Sequence, residues 1–333
     1  MILIRADANE KIGSGHIMRC LSIAHAFVTC GHRVLFVTAD HKGDNLINRA
    51  GFSSICLNSE YTDLEHEPIV EVFANFHPSL VLVDSYYVTN KYFRSLSTYT
   101  KIAYMDDTKE DIWDVDCIIN YNIYGAALDY TLYKSTRTKL LLGPLYAPLR
   151  PEFQGIFQHP IKHVTDVMVS TGGADPEKIT ERLINGLCSK LKKVRFHFVI
   201  GVLNPRIEVI KTIATDNIVL HIDENNMSGL MRTSDIAISA AGSTLYELCA
   251  CGTPTITYSL ADNQRTATEE FAKQGIMISV GDCRDNQDII EDIGRNLHRL
   301  IDDEKGRKIM STKMHSLIDG HGAERLSESL LLI

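Results

Sequence analysis

The 333-residue chain has no long hydrophobic run, and no apolar stretch approaches the roughly 18 residues that a membrane-spanning helix requires. It also lacks a basic tract, and its formal net charge of -8 argues against a nucleic-acid-binding protein. Hydrophobic residues make up 44% and charged residues 23%, as in an ordinary globular protein. We therefore expect a globular protein without stable membrane association and without a nucleic-acid partner.

The cysteines do not show the spacing of a metal site. The chain has eight cysteines but no C-x-x-C motif and no Cys/His cluster with zinc-like spacing. Cys249 and Cys251 lie close in sequence, yet a one-residue gap on a predicted helix points them to different sides. We expect buried free thiols in a reducing cytoplasm and no bound metal.

A glycine-rich segment follows the first predicted strand. Residues 2–6 form a short apolar run typical of a strand, and residues 17–27 carry apolar side chains at helical spacing up to a stop at Gly31. Gly13-Ser14-Gly15-His16 therefore lies where a strand turns into a helix. Free backbone amides and the positive end of the helix dipole favour an anion there, and His16 is expected to project toward the ligand.

This segment departs from the common nucleotide-binding motifs. Gly13 and Gly15 supply the first half of the dinucleotide fingerprint, but Met18 occupies the third glycine position and the lysine of a P-loop is absent. The glycines alone are compatible with a turn that needs them only for its backbone geometry. For His16 the alternative is a structural role, in which the ring caps its own helix.

Strand and helix signals alternate along the whole chain, which predicts an α/β fold with parallel sheets and crossover helices. Besides residues 2–6, the first half has strand signals at residues 33–38, 80–84, 101–106 and 117–120. The second half has them at residues 166–170, 195–200, 218–222, 235–239, 255–258 and 277–280. Its helices are expected at residues 176–191, 225–233, 244–251, 263–274 and 288–302.

A proline-rich stretch divides the two halves. Residues 143–160 contain four prolines and two glycines, which is typical of a linker. We expect two Rossmann-like domains with a ligand-binding cleft between them: residues 1–150, which carry the histidine loop, and residues 151–318. Residues 319–333 are expected to form a helix that packs back on the first domain.

Polar residues collect at the predicted carboxyl ends of the strands, where ligands of open parallel sheets bind. In the first half these are Asp84, Asp106 and Asp107. In the second half they are Gly172, Gly173, Gly242, Ser243, Thr244 and Glu247, followed by Asp262, Asn263 and Gln264. Three such edges favour a nucleotide diphosphate, with Glu247 placed to accept hydrogen bonds from a ribose diol. The alternative for residues 243–247 is an ordinary helix cap with an acidic first turn.

Together these residues resemble the GT-B-type UDP-sugar hydrolases of pseudaminic acid biosynthesis, which are relatives of the MurG glycosyltransferase. The resemblance covers nearly the whole chain, and the N-terminal motifs are its most specific part. Its motifs are Ile4-Arg5-Ala6-Asp7, Ile12-Gly13-Ser14-Gly15-His16-Ile17-Met18-Arg19-Cys20-Leu21, Val83-Asp84-Ser85-Tyr86, Met105-Asp106-Asp107, Ser170-Thr171-Gly172-Gly173-Ala174-Asp175, residues 239–247 and Ala261-Asp262-Asn263-Gln264.

The resemblance implies a GT-B architecture and inverting, metal-independent hydrolysis of a UDP-linked acetamido sugar, with no cofactor. It implies that His16 is the base that activates water and that the second domain holds UDP. We expect a monomer. Rival functions are a glycosyltransferase, a hydrolysing UDP-sugar 2-epimerase and a non-enzymatic nucleotide-sugar binder.

Several further residues are candidates for contact with the sugar. Arg5 and Asp7 could orient His16 or a sugar amide, although Arg5 could also be an ordinary strand-end cation. Arg19 faces either the sugar or an acidic loop. Tyr86 and Asp106 contact the sugar or satisfy a loop. The remaining two candidates are amides at a helix start, which can read sugar substituents: Asn263 and Gln264.

Overall fold

The computed structural model describes residues 1–9, 11–157, 163–201 and 204–333, so Pro160 of the expected linker lies outside the described residues. The chain divides into two compact units. The N-terminal unit comprises Met1–Pro151 and Gly320–Ile333, and the C-terminal unit comprises Glu152–Asp319. Each unit contains one parallel sheet flanked by helices.

In the described part of the N-terminal unit, the sheet has seven parallel strands in the order β3-β2-β1-β4-β5-β6-β7. The strands are β1 (Ile2–Ala6), β2 (Val34–Thr38), β3 (Ser54–Cys56), β4 (Leu80–Asp84), β5 (Lys101–Met105), β6 (Cys117–Asn120) and β7 (Lys139–Leu142). The crossover helices are α1 (Gly15–Thr29), α2 (Asp44–Arg49), α3 (Ile69–Phe76) and α4 (Asn90–Ser97). Every residue of β1 and β4 is buried, as expected for parallel strands covered on both faces.

The strand order reverses between β1 and β4, because the chain winds outward to β3 and then returns to the other side of β1. In this pairing Ala6 lies opposite Asp84. Asp7, which follows β1, is therefore next to the end of β4. Such a reversal point opens a crevice at the carboxyl ends of the strands, where α/β proteins bind ligands.

In the described part of the C-terminal unit, the sheet has six parallel strands in the order β10-β9-β8-β11-β12-β13. The strands are β8 (Asp166–Ser170), β9 (Arg195–Ile200), β10 (Ile218–Ile222), β11 (Ile236–Ala240), β12 (Thr255–Ser259) and β13 (Ile278–Asp282). The helices are α5 (Ile179–Gly186), α6 (Ile207–Ile213), α7 (Met227–Thr233), α8 (Thr244–Cys251), α9 (Asp262–Lys273), α10 (Ile289–Asp302) and α11 (Glu304–Leu317). Here the order reverses between β8 and β11.

The final helix, α12 (Gly322–Leu330), is part of the N-terminal unit and lies against α1. Its contacts include a weak sulfur–hydroxyl interaction between Cys30 and Ser327 at 3.7 Å. All eight cysteines are free thiols. The expectation that they are buried is wrong for Cys30, which is exposed, and for Cys56, which is half-buried.

The two-domain α/β prediction is confirmed, and the expected strands recur within two residues at each end. The helix expected from residue 176 is shorter than predicted. Lys178 has a left-handed backbone with φ of 53°, so α5 begins only at Ile179. Pro176 therefore lies outside the helix. The strands and helices that carried no sequence prediction are β3, β7, α2, α3, α4, α6 and α11.

Candidate active site

A pocket lies at the reversal point of the N-terminal sheet. The pocket has an empty volume of about 210 Å³, part of which is open solvent. It is bounded by strand ends and by the loop that leads into α1. Its lining residues are Asp7, Ile12, His16, Tyr61, Asp84, Ser85, Tyr86 and Tyr87. The pocket thus combines one imidazole, two carboxylates and three tyrosine side chains.

The loop before α1 is held by its own polar groups. The side-chain oxygen of Asn9 accepts hydrogen bonds from the amides of Lys11 (2.9 Å) and Ile12 (3.1 Å). The Gly13 amide donates to the Asn9 carbonyl at 2.8 Å. Gly13 has φ of +71°, a conformation that glycine adopts without strain, and Ser14 at the N-cap makes no side-chain capping hydrogen bond. This geometry turns the chain sharply into α1 and places His16 in its first turn.

The His16 ring is paired with Asp84. His16 Nδ1 lies 2.6 Å from Asp84 Oδ1, and the two residues are 6% and 1% exposed. An ionised carboxylate only accepts hydrogen bonds, so Nδ1 carries a proton and donates it, which leaves Nε2 with its lone pair in the neutral ring. The ring does not cap its own helix through this nitrogen. The structure therefore favours the ligand-facing interpretation of His16 over the helix-capping alternative.

Asp84 is held in its ionised form. Burial by itself raises the pKa of this carboxyl, but the charges and hydrogen bonds of Arg19 and His16 outweigh burial. The net result is a pKa well below the ordinary value. The Cys20 thiol also approaches the carboxylate, with Sγ 3.5 Å from Oδ2. Asp84 is thus an anion at neutral pH with partners on both oxygens.

Arg19 faces acidic side chains rather than open space. Its Nε and Nη2 atoms donate to the two oxygens of Asp84 at 2.6 and 2.5 Å. Its Nη1 atom donates to Asp107 at 2.7 Å and to the Tyr121 hydroxyl at 3.2 Å. Because the side chain is only 13% exposed and its guanidinium is directed to these partners, the structure favours the acidic-loop alternative for Arg19 over sugar contact.

Arg5 lies beneath the pocket. It is fully buried, with Nη1 2.5 Å from Asp7 Oδ2 and Nε 2.9 Å from Glu67 Oε2. The other Asp7 oxygen accepts from the Ala39 amide at 2.7 Å, and Tyr92 donates to Glu67 at 2.7 Å. Direct sugar contact by Arg5 does not fit this burial, whereas Asp7 lines the pocket. Arg5 fixes the orientation of Asp7.

Tyr86 and Asp106 have different surroundings. The Tyr86 ring lies edge-on to His16, with ring centroids 4.8 Å apart, and its hydroxyl donates to Asp107 at 3.3 Å. Asp106 is fully buried and accepts from the Lys109 amide (2.8 Å), so the structure supports its loop-stabilising alternative. Burial raises the pKa of Asp106. Asp107, the next residue, is the one that joins the network around His16.

The C-terminal unit has two glycine-containing turns at its own reversal point. Gly172 follows β8 with φ of +83°, and Gly173 approaches the turn after β9 so closely that a Cβ on Gly201 would lie 2.5 Å from the Gly173 carbonyl oxygen. The amides at the start of α5 are capped by Asp175, which accepts from Ile179 at 2.8 Å and Thr180 at 3.0 Å. The start of α5 therefore already holds a carboxylate.

The turn after β11 differs in this respect. Gly242 leads into α8, and Ser243 at the N-cap makes no side-chain capping hydrogen bond. The Ser243 hydroxyl therefore does not form the helix cap considered from the sequence. A Cβ added to Gly242 would meet nothing within 4 Å, so the backbone borders open space. Glu247 lies in the first turn of α8, one turn beyond Ser243 and Thr244.

The polar residues that open α9 serve mainly local contacts. Asp262 is 84% exposed at its side chain and pairs with Arg284 at 2.6 Å. Gln264 accepts a hydrogen bond from the Leu260 amide at 2.8 Å and so shapes the turn. Asn263 is exposed on the first turn of the helix. Of the three, Asn263 is the residue that best fits the expected role of contacting a ligand.

Sequence reasoning placed Asp84 and Asp107 at the functional edge but did not include them among the site residues. Tyr61 and Tyr87 carried no prediction, and Ser85 was named only within the motif Val83-Asp84-Ser85-Tyr86. The reversal point could have identified Asp84, because it ends the strand beside β1.

The described residues include no group of three or more His, Cys, Asp or Glu side chains arranged to hold a metal ion. Within the same part of the chain, no helix is long and apolar enough to cross a membrane.

Solved structures with the same fold include glycosyltransferases. MurG of Acinetobacter baumannii superposes with a TM-score of 0.72 at 12% identity, covering 100% of this chain and 99% of that one. This chain has the GT-B fold. The calicheamicin glycosyltransferase CalG4 gives a TM-score of 0.67 at 15% identity, covering 99% and 97% of the two chains. At these identities the likeness concerns the fold alone.

Sequence relatives extend over most of the chain. The UDP-2,4-diacetamido-2,4,6-trideoxy-beta-L-altropyranose hydrolase of Campylobacter jejuni is 25% identical over 82% of this chain and 97% of its own length. An uncharacterized protein of Methanocaldococcus jannaschii is 22% identical over 82% of this chain, which spans only 58% of that relative. No family model matches the chain.

Proposed function

We propose that the protein hydrolyses UDP-2,4-diacetamido-2,4,6-trideoxy-β-L-altropyranose at the anomeric carbon, with inversion and without a metal, and releases UDP. The observation that carries this proposal is the 2.6 Å contact between His16 Nδ1 and Asp84 Oδ1 in a solvent-accessible pocket. It is the arrangement of a general base whose ring is oriented by a carboxylate. The similarity to the Campylobacter hydrolase supports the choice of substrate.

In the proposed reaction, Nε2 of neutral His16 takes a proton from a water molecule as the water oxygen bonds to C1 of the sugar. The C1–O bond to the diphosphate breaks on the opposite side, and its electron pair leaves with UDP. Asp84 accepts the Nδ1 hydrogen bond and stabilises the imidazolium that forms. One displacement inverts C1, and the proton later passes from His16 to solvent.

We assign UDP binding to the C-terminal unit. Gly242, Ser243 and Thr244 open α8 without a side-chain cap from Ser243, so the helix start suits the diphosphate. Developing negative charge on the leaving group is stabilised by such oriented amides. Glu247 is assigned to the ribose hydroxyls. The amides at the start of α5 are less suitable, because the Asp175 carboxylate already occupies them.

The test is UDP release from this sugar nucleotide with EDTA and no acceptor, followed by NMR of the first sugar anomer formed. Rapid release with an inverted anomer supports the proposal. A retained anomer or a requirement for metal contradicts the mechanism, and released UDP together with a free sugar inverted at C2 indicates a hydrolysing epimerase.

The second candidate function is that of a glycosyltransferase, because this chain has the fold of CalG4 and other transferases. In that case His16 would deprotonate an acceptor hydroxyl in place of water. The same assay distinguishes the two, since a transferase releases UDP slowly until an acceptor is supplied. Tight UDP binding without release, with or without acceptors, would favour a non-enzymatic binder.

A further inference from the structure

Arg19 connects three groups that surround the His16 ring. It donates two hydrogen bonds to Asp84 and one to Asp107, and its Nη2 atom lies 3.3 Å from His16 Nδ1. Asp107 in turn accepts from the Tyr86 hydroxyl, and the Tyr86 ring lies edge-on to His16. The contacts therefore form a closed network that runs from His16 through Asp84, Arg19, Asp107 and Tyr86 back to His16.

The hydrogen-bonding capacity of these groups explains why this network determines the tautomer of His16. Guanidinium donates and never accepts, so it cannot provide an acceptor for a protonated Nδ1. Asp84 is the group that can accept from Nδ1, and the Arg19 fork keeps that carboxylate ionised and fixed in plane. A lysine would supply the charge but not the two parallel hydrogen bonds.

We infer that Arg19 is a positioning residue that acts through Asp84 to keep His16 in the tautomer with a free Nε2, and that Asp107 holds Arg19 in place. Arg19 was a candidate for sugar contact, and this inference gives it a different role. Its relevance to turnover rests on the proposed function, whereas its effect on the His16 ring does not.

Removal of the charge of Arg19 or of Asp107 from this network should shift the titration of His16 in opposite directions. Arg19→Gln removes a positive charge 3.3 Å from Nδ1, so the protonated ring becomes easier to form and the titration moves to higher pH. Asp107→Asn removes a negative charge that partly offsets Arg19, so the titration moves to lower pH.

Other ionisable groups also face His16 and stay unchanged in these variants. They are Cys20 on α1, Asp7 after β1, Tyr61 after β3, Asp84 at the end of β4, and Tyr86 and Tyr87 after β4. Since the two substitutions leave all of these in place, a difference between the variants reports on Arg19 and Asp107. Arg94→Gln is the matched control, because Arg94 forms a surface ion pair with Asp114 and is 70% exposed.

The experiment is NMR of the ¹⁵N-labelled histidine rings across pH, with the His16 signals assigned by their loss in His16→Gln. The wild-type ring should show a protonated Nδ1 and an unprotonated Nε2 when neutral. Arg19→Gln should shift the midpoint upward, Asp107→Asn downward, and Arg94→Gln should not shift it. Arg19→Lys should keep the midpoint within a few tenths of a pH unit while weakening the tautomer preference.

Activity provides a second readout. Arg19→Lys and Arg19→Gln should lower kcat for UDP release about 10- to 100-fold, as for other partners that orient a functional histidine, and change KM little. If the tautomer of neutral His16 is the same in wild type and Arg19→Gln, the inference is wrong, whether or not the midpoint shifts. If these NMR shifts occur but no variant or wild type releases UDP, the inference stands and the proposed function fails.

Discussion

Asp84→Asn should move the proton of neutral His16 from Nδ1 to Nε2 and so remove the base that we propose. Asparagine keeps the size of aspartate but offers one oxygen acceptor and an NH₂ donor. In the wild type, Arg19 donates to both carboxylate oxygens of Asp84, at 2.6 and 2.5 Å. In the variant it would donate to the single oxygen of the asparagine side chain. The NH₂ group would then face His16 Nδ1, which must accept, so the proton would move to Nε2.

The expected loss of kcat is large, because Nε2 would no longer have the lone pair that accepts the water proton in the proposed reaction. The same exchange beside the histidine of a serine protease lowers kcat about 10⁴-fold through a tautomer error. We expect about 10³- to 10⁴-fold here, equivalent to about 4 to 5.5 kcal/mol in the activation barrier. UDP affinity should change little, since we assign UDP to the C-terminal unit.

The assay compares kcat, KM and UDP affinity for wild type, Asp84→Asn and the surface control Asp114→Asn, with circular dichroism as the check on folding. Asp114 pairs with Arg94 at the surface, so its variant should retain wild-type kcat. A folded Asp84→Asn protein that retains more than about a tenth of wild-type kcat would refute the orienting role of Asp84. Equal loss of UDP affinity and kcat would make Asp84 a structural residue.

Three further changes test the C-terminal unit. Glu247→Ala should weaken UDP binding at least about tenfold, through loss of a charge-assisted hydrogen bond, while changing saturated turnover less; unchanged affinity by calorimetry would remove the ribose assignment. Gly201→Ala should lower the free energy of unfolding by about 1–3 kcal/mol in urea titrations, because its Cβ would lie 2.5 Å from the Gly173 carbonyl oxygen; wild-type stability would show that the turn relaxes. Hydrogen bonds from Arg284 lower the pKa of Asp282 to about 2. The ionised Asp282 therefore contributes its full share of the free energy of unfolding above the unfolded-state pKa near 3.9, and this contribution is lost as the pH falls through about 2. The stability difference between wild type and Arg284→Met should therefore be larger at pH 6 than at pH 2, and a constant difference would contradict the ion-pair account.

Local sequence patterns predicted the fold well where strands are buried. The run Leu80–Asp84 is apolar up to a terminal aspartate, and it forms β4 with the expected bounds because all five residues are buried. The short edge strand Ser54–Cys56 is only half-buried and has no comparable apolar signal. The start of α5 depends on the backbone of Lys178 and the Asp175 cap, which the prediction from Pro176 did not take into account.

The site was predictable as a location but not as a set of contacts. Parallel strands with an order reversal bring their carboxyl ends together, so Asp84 could be placed at the functional edge. Its pairing with His16 joins residues 68 positions apart in sequence and depends on the side-chain geometry of both. The sequence likewise could not decide between the alternatives for Arg19, because only the direction of its guanidinium separates a sugar contact from an acidic partner.

The charges at the N-terminal pocket bear on which part of the substrate it receives. Two guanidinium groups, from Arg5 and Arg19, lie among four carboxylates, and Asp7 and Asp84 both line the pocket. The resulting negative field disfavours a diphosphate there, despite the uncapped glycine turn before α1. In the proposed reaction this field would favour a neutral sugar and would stabilise both the His16 imidazolium and the positive charge that develops at C1 as the bond to UDP breaks. The electrostatics therefore argue for water activation at this pocket and against assigning it the diphosphate.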